Sequence, residues 1–176
     1  MEQSEAIIIR QASEGDVTAF KQLYEQHIGR VYALCIRLCA DKSQAEDAAQ
    51  EVFIQAWKSL PSYQANARFS TWLHRLAANV TISYLRRQKS WWQKVVPLTE
   101  ENDKEIVISD DIAHDKLALC VMRLPERARL VFVLHAIEGY RHEQVAHMLD
   151  IAESSSKTHY FRAKQKIQEY LSSESE

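Results

Sequence analysis

The chain is 176 residues long, 46% hydrophobic and 26% charged, with a formal net charge of -2. That length suffices for one modest core or two small ones, and that composition excludes a disordered or fibrous chain. Because the total charge is close to balance, the local field rather than the sum decides what docks where.

The opening MEQSEAIIIRQASEGD has too short an apolar run for a signal peptide, and no later stretch approaches the roughly 20 apolar residues of a membrane span. The expectation is a cytoplasmic protein with no direct membrane insertion. Cys35, Cys39 and Cys120 are an odd number of thiols in such a chain, so a disulfide framework is not expected. Cys35 and Cys39 sit four apart on one face of an expected helix, but no His or second Cys pair completes a metal site, and they read as core residues. With only three Gly and three Pro, the chain lacks the turn chemistry that sheets require, and the expected fold class is all-α.

After Gly15-Asp16, the positions Phe20, Leu23, Tyr24, Ile28, Val31, Cys35 and Leu38 keep a three-four spacing and predict one long amphipathic helix. A second helix is expected from Ser43, where Ser43 and Glu46 form a capping-box pattern. It buries Ala49, Val52, Phe53, Ala56, Trp57 and Leu60 before Pro61 stops it. A third opens at Ser70. Along it Leu73, Leu76, Ala77, Val80 and Tyr84 face the other two helices, which leaves Trp72, Arg75, Asn79, Ser83 and Arg86 on another face.

The third helix lies in FSTWLHRLAANVTISYLRRQKSWW, Phe69 to Trp92, which contains no Asp or Glu. Arg68 to Thr99 carries six Lys or Arg and no acid, whereas Glu100 to Asp115 carries seven acids against the single Lys104. The first block attracts nucleic acid by charge; an ordinary solvated helix face followed by an acidic linker is the bland reading. Cations suit phosphates and aromatic rings can serve as platforms for bases, whereas an acid there would repel a nucleic-acid backbone. Trp72 suits wedging or stacking, with core packing beside Leu73 as the alternative. Arg75, Arg86 and Arg87 suit phosphates.

Periodicity fades after Lys89, so residues 90–113 are expected to be an acidic linker separating two small helical domains, 1–89 and 114–176. Helix resumes near His114, breaks at Leu124-Pro125 and continues through RARLVFVLHAIEG, where Gly139 is a natural C-terminal cap. The short helix HEQVAHML, the turn DIAES and the longer helix SSKTHYFRAKQKIQEYL then form the pattern of a helix-turn-helix. On the last helix Tyr160, Ala163 and Ile167 should pack inward, with Ser155, Thr158, Phe161 and Arg162 outward. Arg162 suits guanine or phosphate, Lys157 phosphate, and Phe161 a thymine methyl.

The stretches LYEQHIGRVYAL, AEDAAQEVFIQAWKSL, FSTWLHRLAANVTISYLRR, LPERARLVFVL and EQVAHMLDIAESSSKTHYFRAKQKI, in that order, resemble the extracytoplasmic-function (ECF) group of bacterial RNA polymerase sigma factors. The resemblance covers roughly Ala12 to Leu171. It implies that the first domain, region 2, binds core RNA polymerase and opens promoter DNA at the minus-ten element, and that the second, region 4, reads the minus-thirty-five element as duplex. By the same resemblance Asp47, Gln50, Glu51 and Ile54 dock on the clamp helices of the polymerase large subunit. Asn79 occupies the position that meets a flipped base, the acidic linker threads near the RNA exit path, and an anti-sigma factor is an expected partner. Trp91 and Trp92 lie outside the family motifs and receive no role.

Three residues depart from the family pattern: Ser154 where Gly is usual, Ser156 where Val usually packs, and His159 where Arg is usual. HEQVAH, from His142 to His147, has one residue too many for the metalloprotease pattern HExxH, and five residues at about 100° each put the second His on another helix face. No nucleophile-base pair, phosphate loop or carboxylate pair appears, so an enzyme is not expected, nor a cofactor or small-molecule substrate. The rival readings are a stand-alone helix-turn-helix regulator, which leaves the first domain unexplained, and a helical adaptor whose basic segment binds an acidic protein.

Overall fold

The computed structural model describes residues 2–95 and 115–173, and every regular element among them is helical. The chain divides into two compact units, the first holding most of helices α1 to α4 and the second α5 to α8 together with residues 37–42.

The first unit opens with α1 (Glu2–Ser13), which the sequence reading did not anticipate. The chain then turns at Gly15, whose φ of 99° lies in the left-handed region that favours Gly. Asp16 caps α2 (Val17–Cys39), its Oδ1 accepting from the backbone N–H of Thr18 at 2.7 Å and of Ala19 at 3.1 Å. Asp16→Ala is expected to cost about 1 kcal/mol of stability by chemical unfolding, the usual worth of an N-cap oxygen. The buried stripe of α2 includes Leu23, Val31 and Cys35 as expected, together with His27, Leu34 and Ile36, while Tyr24 stays at the exposed edge. His27 tolerates burial because Glu5 Oε1 lies 3.3 Å from its Nε2 and Phe69 meets its ring edge-on at 5.2 Å.

A two-residue turn with Ala40 at φ 51° leads into α3 (Lys42–Ser59). The helix starts one residue before Ser43, which therefore lies inside the first turn and is not the cap. Ala45, Ala48, Ala49, Val52, Phe53 and Ala56 form the buried face. Pro61 falls in the short 3-10 turn Leu60–Ser62 that ends the run.

Helix α4 (Phe69–Val95) completes the unit. It runs six residues past the expected end at Lys89, because no Gly or Pro interrupts the chain between Pro61 and Pro97. Leu73, Ala77 and Tyr84 are buried as expected, and Ala78, Thr81, Ile82 and Leu85 join them, whereas Leu76 and Val80 are only half-buried. Thr81 is fully enclosed with its hydroxyl 3.3 Å from the Cys35 thiol, so a polar core atom is satisfied; burial pushes that thiol's pKa up. Residues 90–95 of the expected linker are thus helical, and its remainder, residues 96–113, lies outside the described residues.

In the second unit, Asp115 caps α5 (Lys116–Met122) by accepting from the N–H of Leu117 and Ala118. Pro125 opens α6 (Glu126–Phe132). Its continuation, Val133–Ile137, widens to five-residue hydrogen bonding, with Glu138 N–H donating to Val133 O at 2.9 Å. Gly139, at φ 76°, closes that end. Helix α7 is His142–Leu149 and α8 is Glu153–Ser173. Between them Asp150 takes the left-handed conformation (φ 55°, ψ 52°), which Asp tolerates better than most residues. The turn therefore places its strained residue at Asp150, and Ser154, where the family has Gly, is simply helical. Val145, Ala146, Ser156, Ala163 and Ile167 are buried between these helices and α5–α6.

Candidate functional site

Three surfaces carry the residues singled out in the sequence. On α3, Asp47, Gln50 and Ile54 are exposed at spacings of three and four, and Ile54 is 56% exposed, large for an apolar side chain with no solvent role. Glu51 is half-exposed and engaged: Arg87 Nη2 reaches its two carboxylate oxygens at 2.6 and 2.5 Å. Asp47 Oδ2 accepts from the Tyr84 hydroxyl at 3.2 Å. Two residues expected to dock a protein are thus braced by α4. Arg87, expected to hold phosphate, has a carboxylate partner it must exchange to do so.

On α4, Arg75, Asn79, Ser83 and Arg86 are all exposed. Their spacing covers eleven residues, about 16 Å of helix at 1.5 Å per residue. Asn79 Nδ2 donates to Arg75 O at 3.0 Å, one turn back on its own helix. Trp72 at the start of this row is half-buried. Its ring lies 5.2 Å from Tyr63 and 5.4 Å from Phe69, and Tyr63 is fixed by its hydroxyl donating to Ala67 O at 2.5 Å. One side of the indole is packed and the rest faces outward, so the packing and stacking readings each hold part of the ring. Tyr63 belongs to this aromatic group and was missed; it lies in a loop where periodicity carries no signal.

On α8, Lys157, Thr158, Phe161 and Arg162 are exposed, with Phe161 61% exposed, and Ser155 is half-buried. Lys157 Nζ pairs with Glu153 Oε1 at 2.7 Å, which holds the Glu153 carboxyl below its ordinary pKa. Thr158 donates its hydroxyl to Ser154 O at 3.0 Å. His159, where the family has Arg, is half-buried, and its pKa is pushed down by burial and then by Arg127 and Arg162. Arg127, exposed on α6, therefore extends the basic face of α8; 35 residues of sequence separate it from Arg162, too far for a helical pattern to pair them. Lys164 sits 5.7 Å over the Tyr160 ring.

Among the described residues, no group of three or more His, Cys, Asp or Glu is placed to hold a metal ion, and no helix is long and apolar enough to cross a membrane. His142 and His147 do not converge: His142 turns to Ser156 while His147 is exposed.

A helical unit bearing an acid-free exposed helix, followed by a helix-turn-helix unit with a basic second helix, is the build of a DNA-binding transcription protein. Residues 23–90 match Sigma-70 region 2, and residues 114–167 match Sigma-70, region 4. The ECF RNA polymerase sigma factor SigW of Bacillus subtilis (strain 168) is 28% identical over 93% of this chain and 94% of its own length. SigM of Mycobacterium tuberculosis (strain H37Rv), also an ECF RNA polymerase sigma factor, is 29% identical over 97% of this chain and 86% of its own. The sigma factor RpoE of Bartonella quintana, solved in complex with the anti-sigma factor NepR, shares the fold with a TM-score of 0.57 at 21% identity, covering 89% of this chain and 98% of that one. The chain belongs to the ECF group of RNA polymerase sigma factors.

Proposed function

We infer that this sigma factor divides its work among the three surfaces: the α3 face docks on core RNA polymerase, the α4 face captures opened minus-ten DNA, and the α8 face reads minus-thirty-five duplex. The observation that carries this reading is the α4 row. Arg75, Asn79, Ser83 and Arg86 are exposed on one side of a helix that has no acid from Phe69 to its end at Val95. An adaptor seeking an acidic protein needs no base-edge reader such as Asn79 amid those cations, and a stand-alone regulator needs no first unit. The chain acts as a non-enzymatic subunit, in the cytoplasm where core polymerase and promoter DNA meet. An anti-sigma factor completes its partners, as family membership leads one to expect.

Promoter-dependent transcription with purified core polymerase tests the reading. Specific transcripts that require both units support it; DNA binding without core polymerase, or no promoter dependence, rejects it.

The docking face is separable from DNA reading. Gln50 and Glu51 lie on the surface, so replacing both by Ala is expected to shift stability by no more than about 0.5 kcal/mol while core affinity falls. The exposed Glu51–Arg87 pair adds little to stability, since screening and side-chain entropy offset most of its attraction. Capture of core polymerase by the double variant as efficient as by the parent would reject the assigned face.

A further inference from the structure

We propose that His142, His135 and Ser156 form a protonation-sensitive cluster that positions α8 on DNA, a role that rests on α8 being the DNA-reading helix. Ser156 stands where the family packs Val and is completely enclosed. A buried hydroxyl needs a partner, and it has one in His142 Nδ1 at 2.9 Å, on the first residue of α7. This bond ties the two helices of the helix-turn-helix together one residue before Lys157 and six before Arg162.

The ring of His142 lies face to face with that of His135, centroids 3.8 Å apart and planes 21° apart, and Tyr160 meets both rings edge-on. His135 is held by the widened turn after α6: its Nδ1 is 2.7 Å from Tyr140 O. A carbonyl only accepts, so that nitrogen carries a hydrogen. With that ring stacked on it, one face of His142 meets an imidazole instead of water, which leaves a charge on His142 poorly solvated.

Every element packed on His142 brings a titratable or charged group. His135 faces it from the turn after α6, and Tyr160, Lys157 and Glu153 from α8, while Arg141 precedes it at the α7 N-terminus, itself the positive end of a helix dipole. Burial, then His135, then Lys157 press its pKa below the ordinary His value of 6.5, and Glu153 opposes them. The unfolded chain therefore binds the proton more readily. The cluster's contribution is full above the ordinary value and declines as pH falls through it towards the folded pKa. Protonation also makes both ring nitrogens donors, so the Ser156 hydroxyl must turn its own hydrogen away from His142.

The test uses the full chain with core polymerase and a duplex enriched from a random-sequence pool by that complex at pH 7.5. Affinity for this duplex relative to a scrambled one is followed down to pH 5.5. The parent is expected to lose this preference several-fold across the range, whereas His142→Gln, which keeps polar contacts without titrating, stays flat. His159→Gln, removing the depressed His of α8 itself, should retain the parent's dependence. Equal pH slopes for parent and His142→Gln overturn the proposal, as does a flat profile for His159→Gln alone. Should His142→Gln fold poorly, the ring-proton titration of His142 in the parent decides: titration at the ordinary His value overturns the proposal, and titration below it supports it. Failure to enrich any duplex rejects α8 as the DNA reader and the positioning role with it; enrichment with equal slopes rejects the cluster alone.

Discussion

Arg162→Ala is expected to lower affinity for the enriched minus-thirty-five duplex by about 1–3 kcal/mol while leaving scrambled duplex nearly unchanged, the signature of a lost bidentate base contact. Lys157→Ala should weaken every duplex alike and reduce the salt slope by about one unit, since one fewer counterion is released. The structure sharpens the contrast. Arg162 projects beside the exposed Phe161, with Arg127 and His159 sharing its field, so phosphates are drawn to the face whichever base Arg162 reads. Lys157 is held by Glu153 and must exchange that carboxylate for a phosphate, so Glu153→Gln should strengthen sequence-independent binding. Gel-shift titrations of the complex with core polymerase at two salt concentrations check all three variants. Equal, sequence-independent losses for Arg162→Ala and Lys157→Ala would make Arg162 a phosphate contact.

Much of this architecture was legible because its signals are local. The bounds of α7, His142–Leu149, follow directly from HEQVAHML, since Gly139 marks the preceding stop and the turn residues the next one. The outward row Arg75, Asn79, Ser83 and Arg86 follows from the 3.6-residue repeat once Leu73, Ala77 and Tyr84 are assigned to the core. What escaped depends on tertiary partners. In α1, Ile7, Ile8 and Ile9 are consecutive and so carry no amphipathic period; the helix is fastened through Glu5 to His27, 22 residues on. The pairing of Glu51 with Arg87 joins α3 to α4 across 36 residues, and no spacing rule predicts it. Ser156 was visible only as a departure from a family pattern. Its compensation, a hydrogen-bonding His142 stacked on His135, requires the widened turn after α6, which has no sequence signature of its own.

Asn79→Ala should preserve core polymerase binding and minus-thirty-five contacts yet reduce promoter opening about fivefold or more, the cost of leaving a captured base edge unpaired being about 1–3 kcal/mol. A base inside the duplex cannot present its pairing edge to a pocket, so this side chain acts only once the strands separate. In the structure the Asn79 amide rests on Arg75 O at 3.0 Å, a bond within its own helix that is readily exchanged for a base edge. Because that contact is exposed, its loss changes stability little and the defect falls on opening. A template already mismatched through the minus-ten element removes most of the unpairing cost, although the missing base contact still weakens capture, so rescue should be partial. Arg86→Ala should lose affinity for both templates in a salt-dependent way, since phosphate is present in either state. Permanganate footprinting of unpaired thymines on paired and pre-opened templates, with core capture measured alongside, separates the two. Normal opening of the fully paired promoter by Asn79→Ala would remove the base pocket and leave α4 as a general electrostatic surface, with Trp72, braced by Tyr63 and Phe69, as the remaining group able to stack on an unpaired base.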